Sequence, residues 1–371
     1  MKNQDPPREN LQPIVSLFNN GKLKQALSES NQMLEKFPNS VFLFNISGAS
    51  NAGLMQYDAA INSYKKALKI MPNYAETYFN MGIALKNKGD LEAAIDSYKM
   101  ALKIKPDYVD VFYNMGNTLK EKGDLEASIT SFKMTLKIKP DHTDAYYNMG
   151  IAQNEKGDLE AAIASFKMTL KIKPDHADAY YNMGNALKDK GYLEAAIDCY
   201  KMTLKIMPDS SDAYFKIGIA LNKKGDFEAA LDSYKMALKI KPDHTDAYYN
   251  MGIALKRKGD FEAALDSYQK ALKIKPFYAP ALSQTHYLAT IMSDWALAKA
   301  LEKNLSSDQL EGNLSVYGLL SLEDNPTMHL KRATKLVKSK YNYLPLFHIR
   351  PPIKSNRIKV GYFSSYFRQH P

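Results

Sequence analysis

The side chains best suited to chemistry with another polypeptide recur in one phase, 34 residues apart. Asn80, Asn114, Asn148, Asn182 and Asn250 share that phase, with Lys216 at the fifth of the six positions. One residue earlier stand Phe79, Tyr113, Tyr147, Tyr181, Phe215 and Tyr249, and four residues before the asparagines stand Glu76, Asp110, Asp144, Asp178, Asp212 and Asp246. A primary amide offers one acceptor and two donors, which can pair with the C=O and N–H of an extended main chain. Tyrosine adds contact area that tolerates many sequences. Asparagine is a mediocre helix former, because its amide competes for backbone hydrogen bonds, so its return inside a helical pattern is informative. Duplication would also copy such a column: DHTDAYYNMGIA begins at both 141 and 243. The acids fall in a first helical turn, where they offset the helix dipole.

Other chemistry finds no footing. His142, His176 and His244 each follow a proline by two residues, one per repeat, which is too far apart for a metal site; they read as solvated turn residues. Cys199 occupies a column that is serine at 97, 131, 165 and 233, so it reads as a small helix residue. Met100, Met134, Met168, Met202 and Met236 recur at a spacing that predicts packing. No glycine-rich phosphate loop and no paired carboxylates appear. Neither metal nor cofactor is expected.

The elements that position these columns are set by punctuation. Pro38, Pro72, Pro106, Pro140, Pro174, Pro208, Pro242 and Pro276 lie 34 residues apart, and Gly48, Gly82, Gly116, Gly150, Gly184, Gly218 and Gly252 keep the same beat. Between Pro72 and Pro106, Tyr78, Met81 and Leu85 form one apolar face of a first helix. Lys88-Gly89 ends that helix, and Asp90 is an N-cap for the second, whose inward stripe is Ala94, Tyr98 and Ala101. Gly82 lets the second helix approach. Pro106 stops the chain from continuing helically.

This pattern resembles the tetratricopeptide repeat, whose length is 34 residues. The resemblance implies an all-α fold, a right-handed superhelix (α-solenoid) whose first helices line the concave side. Eight repeats are counted over 5–276. The first, 5–38, is degenerate but keeps Gly21, Ala26 and Pro38 in phase. The expected partners are proteins or peptides lying along the concave groove.

Composition agrees. Of 371 residues, 45% are apolar and 11% aromatic, a foldable balance. The opening MKNQDPPRENLQP has no apolar core, no stretch approaches a membrane span, and one cysteine allows no internal disulfide. A soluble, cytoplasmic protein is expected. The net charge of +10 is weak evidence for nucleic acid: residues 277–371 hold 12 Lys+Arg against 6 Asp+Glu, while residues 243–276 hold six against five, as on a solvated helix surface.

After Pro276 the period is lost. Residues 277–340 read as a helical extension, 341–356 as a proline-containing linker, and 357–371 as the first strand of an α/β domain. The order SDW, then LSVYGLLSLEDNPTMHLKRA, then RIKVGYFSSYFRQHP resembles the protein O-GlcNAc transferase family and the related SPINDLY proteins. That family joins a repeat superhelix to a glycosyltransferase domain, and moves a sugar from a nucleotide sugar to Ser/Thr of proteins. The resemblance implies that Arg357, Ile358, Gly361, Tyr362, Ser364, Ser365, Phe367, His370 and Pro371 open the catalytic domain, with His370 at the active site. Tyr366 stands where the family has Asp. It also implies that the asparagine column is the ladder that holds substrate proteins. The residues that would bind the nucleotide sugar lie beyond Pro371, so no catalysis is expected from these residues alone. A stand-alone repeat scaffold is the alternative.

Overall fold

In the computed structural model, residues 5–305 are described. Every regular element among them is helical. Sixteen helices, numbered in chain order, form eight successive pairs. The pairs are α1 and α2 (Arg8–Asn19, Leu23–Lys36), α3 and α4 (Val41–Gly53, Tyr57–Ile70), α5 and α6 (Ala75–Lys88, Leu91–Ile104), and α7 and α8 (Val109–Lys122, Leu125–Ile138). They continue with α9 and α10 (Thr143–Lys156, Leu159–Ile172), α11 and α12 (Ala177–Asp189, Leu193–Ile206), α13 and α14 (Ser211–Lys224, Phe227–Ile240), and α15 and α16 (Thr245–Lys258, Phe261–Ile274). The chain divides into two compact units, Met1–Lys275 and Pro276–Pro371. In the second, α17 (Ala279–Ile291) packs on α18 (Trp295–Leu305).

The helix ends follow from local chemistry. Asp90, Asp124, Asp158, Asp226 and Asp260 each accept a hydrogen bond from the backbone N–H three residues on, as in Ala161 N to Asp158 Oδ1 at 3.2 Å. This satisfies one of the free N–H groups that every helix start leaves. Gly89 closes α5 with φ +94°, a left-handed turn that glycine adopts without strain. The next amide, Asp90 N, then bonds back to Leu85 O at 3.0 Å.

Within a pair, the contact is a ring seated on a glycine. A Cβ built on Gly150 would lie 2.7 Å from Phe166 Cε1, so any side chain there displaces the ring. The same arrangement joins Gly82 to Tyr98, Gly116 to Phe132 and Gly184 to Tyr200. These rings are fully buried. Burial pushes the Tyr98 hydroxyl up to about 12. Between pairs, each second helix packs on the next first helix, so the core is continuous along the stack.

A row of ion pairs crosses the boundaries between pairs. Lys88 meets Asp58 at 2.5 Å, Lys122 meets Glu92 at 2.9 Å, Lys190 meets Glu160 at 2.5 Å and Lys258 meets Glu228 at 2.6 Å; Lys156 with Glu126 and Lys224 with Glu194 complete it. Each joins residues 30 apart. The alternating charges of the repeat are thus a seam of exposed pairs, individually weak and screened by salt.

Candidate functional site

First helices of neighbouring pairs approach each other, α3 with α5, α5 with α7, α7 with α9, α9 with α11 and α13 with α15, more closely than second helices do. The first helices therefore line the inner side of the stack. Asn80, Asn114, Asn148, Asn182 and Asn250 lie there, each half-buried.

The asparagine and tyrosine columns are knitted to one another across pairs. Asn148 Nδ2 donates to Tyr113 Oη at 3.1 Å and to Asp144 O at 3.0 Å, while its Oδ1 accepts from Lys120 Nζ at 3.3 Å. Asn182 Nδ2 donates to Tyr147 Oη at 3.0 Å. Asn114 and Asn250 each donate to the carbonyl four residues back, at 2.8 Å. Asn148 is thus fully engaged. On Asn114, Asn182 and Asn250 one N–H and the amide oxygen have no further partner among the described residues. The row is a set of amides held in fixed orientation, part of whose capacity is open.

The tyrosines are equally constrained. The ring of Tyr113 lies 6.0 Å from Phe132, Tyr147 lies 6.1 Å from Phe166, Tyr181 lies 5.8 Å from Tyr200 and Tyr249 lies 5.7 Å from Tyr268. Burial raises the hydroxyls of Tyr147, Tyr181 and Tyr249 above the ordinary tyrosine value. Side chains fixed before binding lose less rotamer freedom when a partner arrives.

Two expectations fail here. The histidines are not solvated turn residues. His142 and His176 are half-buried, accept at Nδ1 from the amides of Ala145 and Ala179 at 3.3 Å, and lie against Tyr113 and Tyr147 with ring centroids 4.8 and 4.7 Å apart. They cap the next first helix and floor the tyrosine column at once. Buried His244 lies 4.7 Å from the Phe215 ring. The methionines do not simply pack either: Met100 and Met236 are exposed, while Met134, Met168 and Met202 are half-buried.

A further column escaped the sequence reading. Fourteen residues after the prolines stand Lys86, Lys120, Asn154, Lys188, Asn222 and Lys256. The signal was present in the spacing, but only the bond from Lys120 to Asn148 shows that this column meets the asparagines of the following pair.

Cys199 is buried, and burial pushes its thiol up to about 11, which leaves it unreactive near neutral pH. No group of three or more metal-ligating side chains gathers among the described residues. No helix among them is long and apolar enough to cross a membrane. His370, the motif around it and the strand expected at 357–371 lie outside the described residues.

The chain is similar to known proteins in parts. It is 39% identical over 74 residues to the probable UDP-N-acetylglucosamine–peptide N-acetylglucosaminyltransferase SEC of Arabidopsis thaliana, a match spanning 20% of this chain and 8% of that protein. Among solved structures, a MamA protein matches with 27% identity and a TM-score of 0.44, over 45% of this chain and 92% of the other. YrrB, described as a repeat protein with an unusual peptide-binding site, matches with 23% identity and a TM-score of 0.45, over 51% of this chain and 97% of its own. The family model described as TPR repeat matches residues 56–89, 85–123, 116–157, 154–191, 184–225 and 218–259, and the one described as tetratricopeptide repeat matches 245–278. With its helix pairs built on that period, the chain belongs to the tetratricopeptide-repeat family.

Proposed function

We propose that the first-helix face of α5 to α15 holds an extended stretch of another polypeptide by its main chain. The observation that carries this is the row of asparagine amides: Asn148 and Asn182 are oriented by bonds to the preceding pair's tyrosines and Asn114 by a bond to Asp110 O, and Asn114 and Asn182 are still open on one N–H and the amide oxygen. Main-chain pairing of this kind reads little sequence, which suits a holder of many proteins. The combined variant Asn114→Ala/Asn148→Ala/Asn182→Ala is expected to weaken capture of a reduced, carboxymethylated protein about tenfold, since each lost hydrogen bond contributes on the order of 1 kcal/mol. Unchanged capture with an unaltered helical circular-dichroism spectrum would sink the reading.

The finer assignment is that the chain is the substrate-holding arm of a protein glycosyltransferase of the O-GlcNAc transferase kind. It is supported by the partial identity with the Arabidopsis transferase and by RIKVGYFSSYFRQHP at 357–371. In this reading 5–276 is an arm of eight repeats, 277–340 a helical extension, 341–356 a linker, and 357–371 the opening of the transferase domain, with His370 in its active site. The nucleotide sugar then belongs to the remainder of that domain. The alternative, a repeat scaffold without transferase activity, draws on how little of the relative is matched, 8% of its length. The reading frame past codon 371 separates the two: α/β sequence there supports the arm, and a stop codon the scaffold.

A further inference from the structure

One rung of the inner face breaks the pattern at several points together. At the fifth of the six asparagine positions stands Lys216, and the residue before it is Phe215, a phenylalanine like Phe79 where the other four rungs have tyrosine. The phenylalanine removes the hydroxyl that the next asparagine uses elsewhere: Asn148 and Asn182 reach back to Tyr113 and Tyr147, whereas Asn250 bonds within its own helix. The lysine column adds a second contrast. Lys120 donates to Asn148, but two repeats later the same two columns hold Lys188 and Lys216, a cation where the acceptor stood.

Lys216 is half-buried. Its Nζ sits 5.9 Å from the Phe215 ring centroid, and among the described residues no carboxylate oxygen lies within 4.0 Å of it. Lys188 is bound to Asp189 at 2.5 Å, with a side chain 16% exposed. Burial, then Lys188, hold the Lys216 ammonium below the ordinary lysine value; Asp212, Asp189 and Asp246 act in the opposite sense without reversing the shift. Beside the rung, His244 is buried with no hydrogen bond at Nε2, and its nearest carboxylate oxygen is Asp212 Oδ1 at 3.6 Å. The rung holds a partly desolvated cation that lacks a direct anionic partner.

We infer that Lys216 is a carboxylate-binding rung that takes one Asp or Glu side chain of the polypeptide lying along the first-helix face. The inference rests on the peptide-holding reading above. A carboxylate there supplies the acceptor that the Asn148 oxygen supplies to Lys120, and it gives the half-buried ammonium a charge-assisted partner. The rung thereby fixes the register of a chain that the remaining amides grip without reading.

The test is selection from a pool of random 15-residue peptides on immobilised full-length protein, followed by sequencing and alignment of what is retained. Lys216→Asn, which restores the residue of the other five positions, is run in parallel, with circular dichroism confirming its fold. The expected result is about fivefold enrichment of Asp and Glu at one aligned position for the natural protein, the scale of one half-exposed ion pair, and its loss in Lys216→Asn, which still retains peptides. Retention without acidic enrichment, or enrichment that persists in Lys216→Asn, overturns the carboxylate rung and leaves the peptide-holding face standing. No retention by either protein overturns both.

Discussion

The pair α1/α2 and the pair α9/α10 solve the same packing problem with opposite residues. In α9/α10, glycine stands on the first helix and a buried ring on the second, Gly150 beneath Phe166. At the corresponding places in α1/α2 stand Ile14 and Ser30, both buried: the bulk has moved to the first helix and the small residue to the second. Ser30 satisfies its hydroxyl within its own helix, donating to Ala26 O at 2.6 Å. The terminal pair also lacks side-chain caps at Pro7 and Lys22, and carries Pro13 inside α1, which removes one helical hydrogen bond. The end of the stack thus carries its bulk on the first helix instead of the second, in keeping with the tolerance of cores for volume-conserving exchange.

The comparison is most sharply broken in the interior. Gly150→Ile drives a branched side chain into the Phe166 ring and is expected to cost about 3 kcal/mol, read as a lower urea midpoint by circular dichroism. Adding Phe166→Ser, which reproduces the terminal arrangement, is expected to restore a large part of the loss; a double variant no better than the single would show that the two pairs are not equivalent. At the end of the stack, Ile14→Gly should cost about 2 kcal/mol through lost burial and a cavity. Combining it with Ser30→Tyr should recover stability, and the coupling between the two changes is the quantity to measure. The smallest effect belongs to the exposed seam between pairs. Lysine partners hold the carboxyls of Glu160 and Glu228 below the ordinary glutamate value. A carboxyl depressed on folding contributes stability above its unfolded value and loses it as pH falls through the folded one. Glu160→Gln/Glu228→Gln should therefore lower the thermal midpoint slightly at pH 7, with the difference vanishing below the carboxylate range and in 1 M NaCl, on the order of ten times physiological ionic strength.

Much of this architecture was legible in the residues. The prolines and glycines gave the period, and Asp90 with Gly89 gave the turn between helices, because caps and left-handed turns depend on side chains a few residues apart. The inner face was legible as columns but not as contacts. Nothing in the spacing shows that Asn148 gives an amide hydrogen to Tyr113 or that Lys120 meets its oxygen, since these bonds join residues about one repeat apart through the stacking geometry. The histidines misled because a residue just after a proline turn reads as solvated, while the packing of successive pairs lays His142 and His176 on tyrosine rings. The exchange of Ile14 and Ser30 for glycine and tyrosine was hidden because it is visible only when both partners are compared.

Recurring asparagines give the inner face an approximate translational symmetry, and symmetry has a cost in information. A chain that bonds to Asn114 finds an amide with the same open N–H and oxygen at Asn182, two rungs along. Such a ladder multiplies the number of equivalent seatings and favours diffusion of the bound chain along its own axis. A single dissimilar rung then works as the mark on an otherwise blank ruler: it adds little to the grip and supplies the zero from which position is counted.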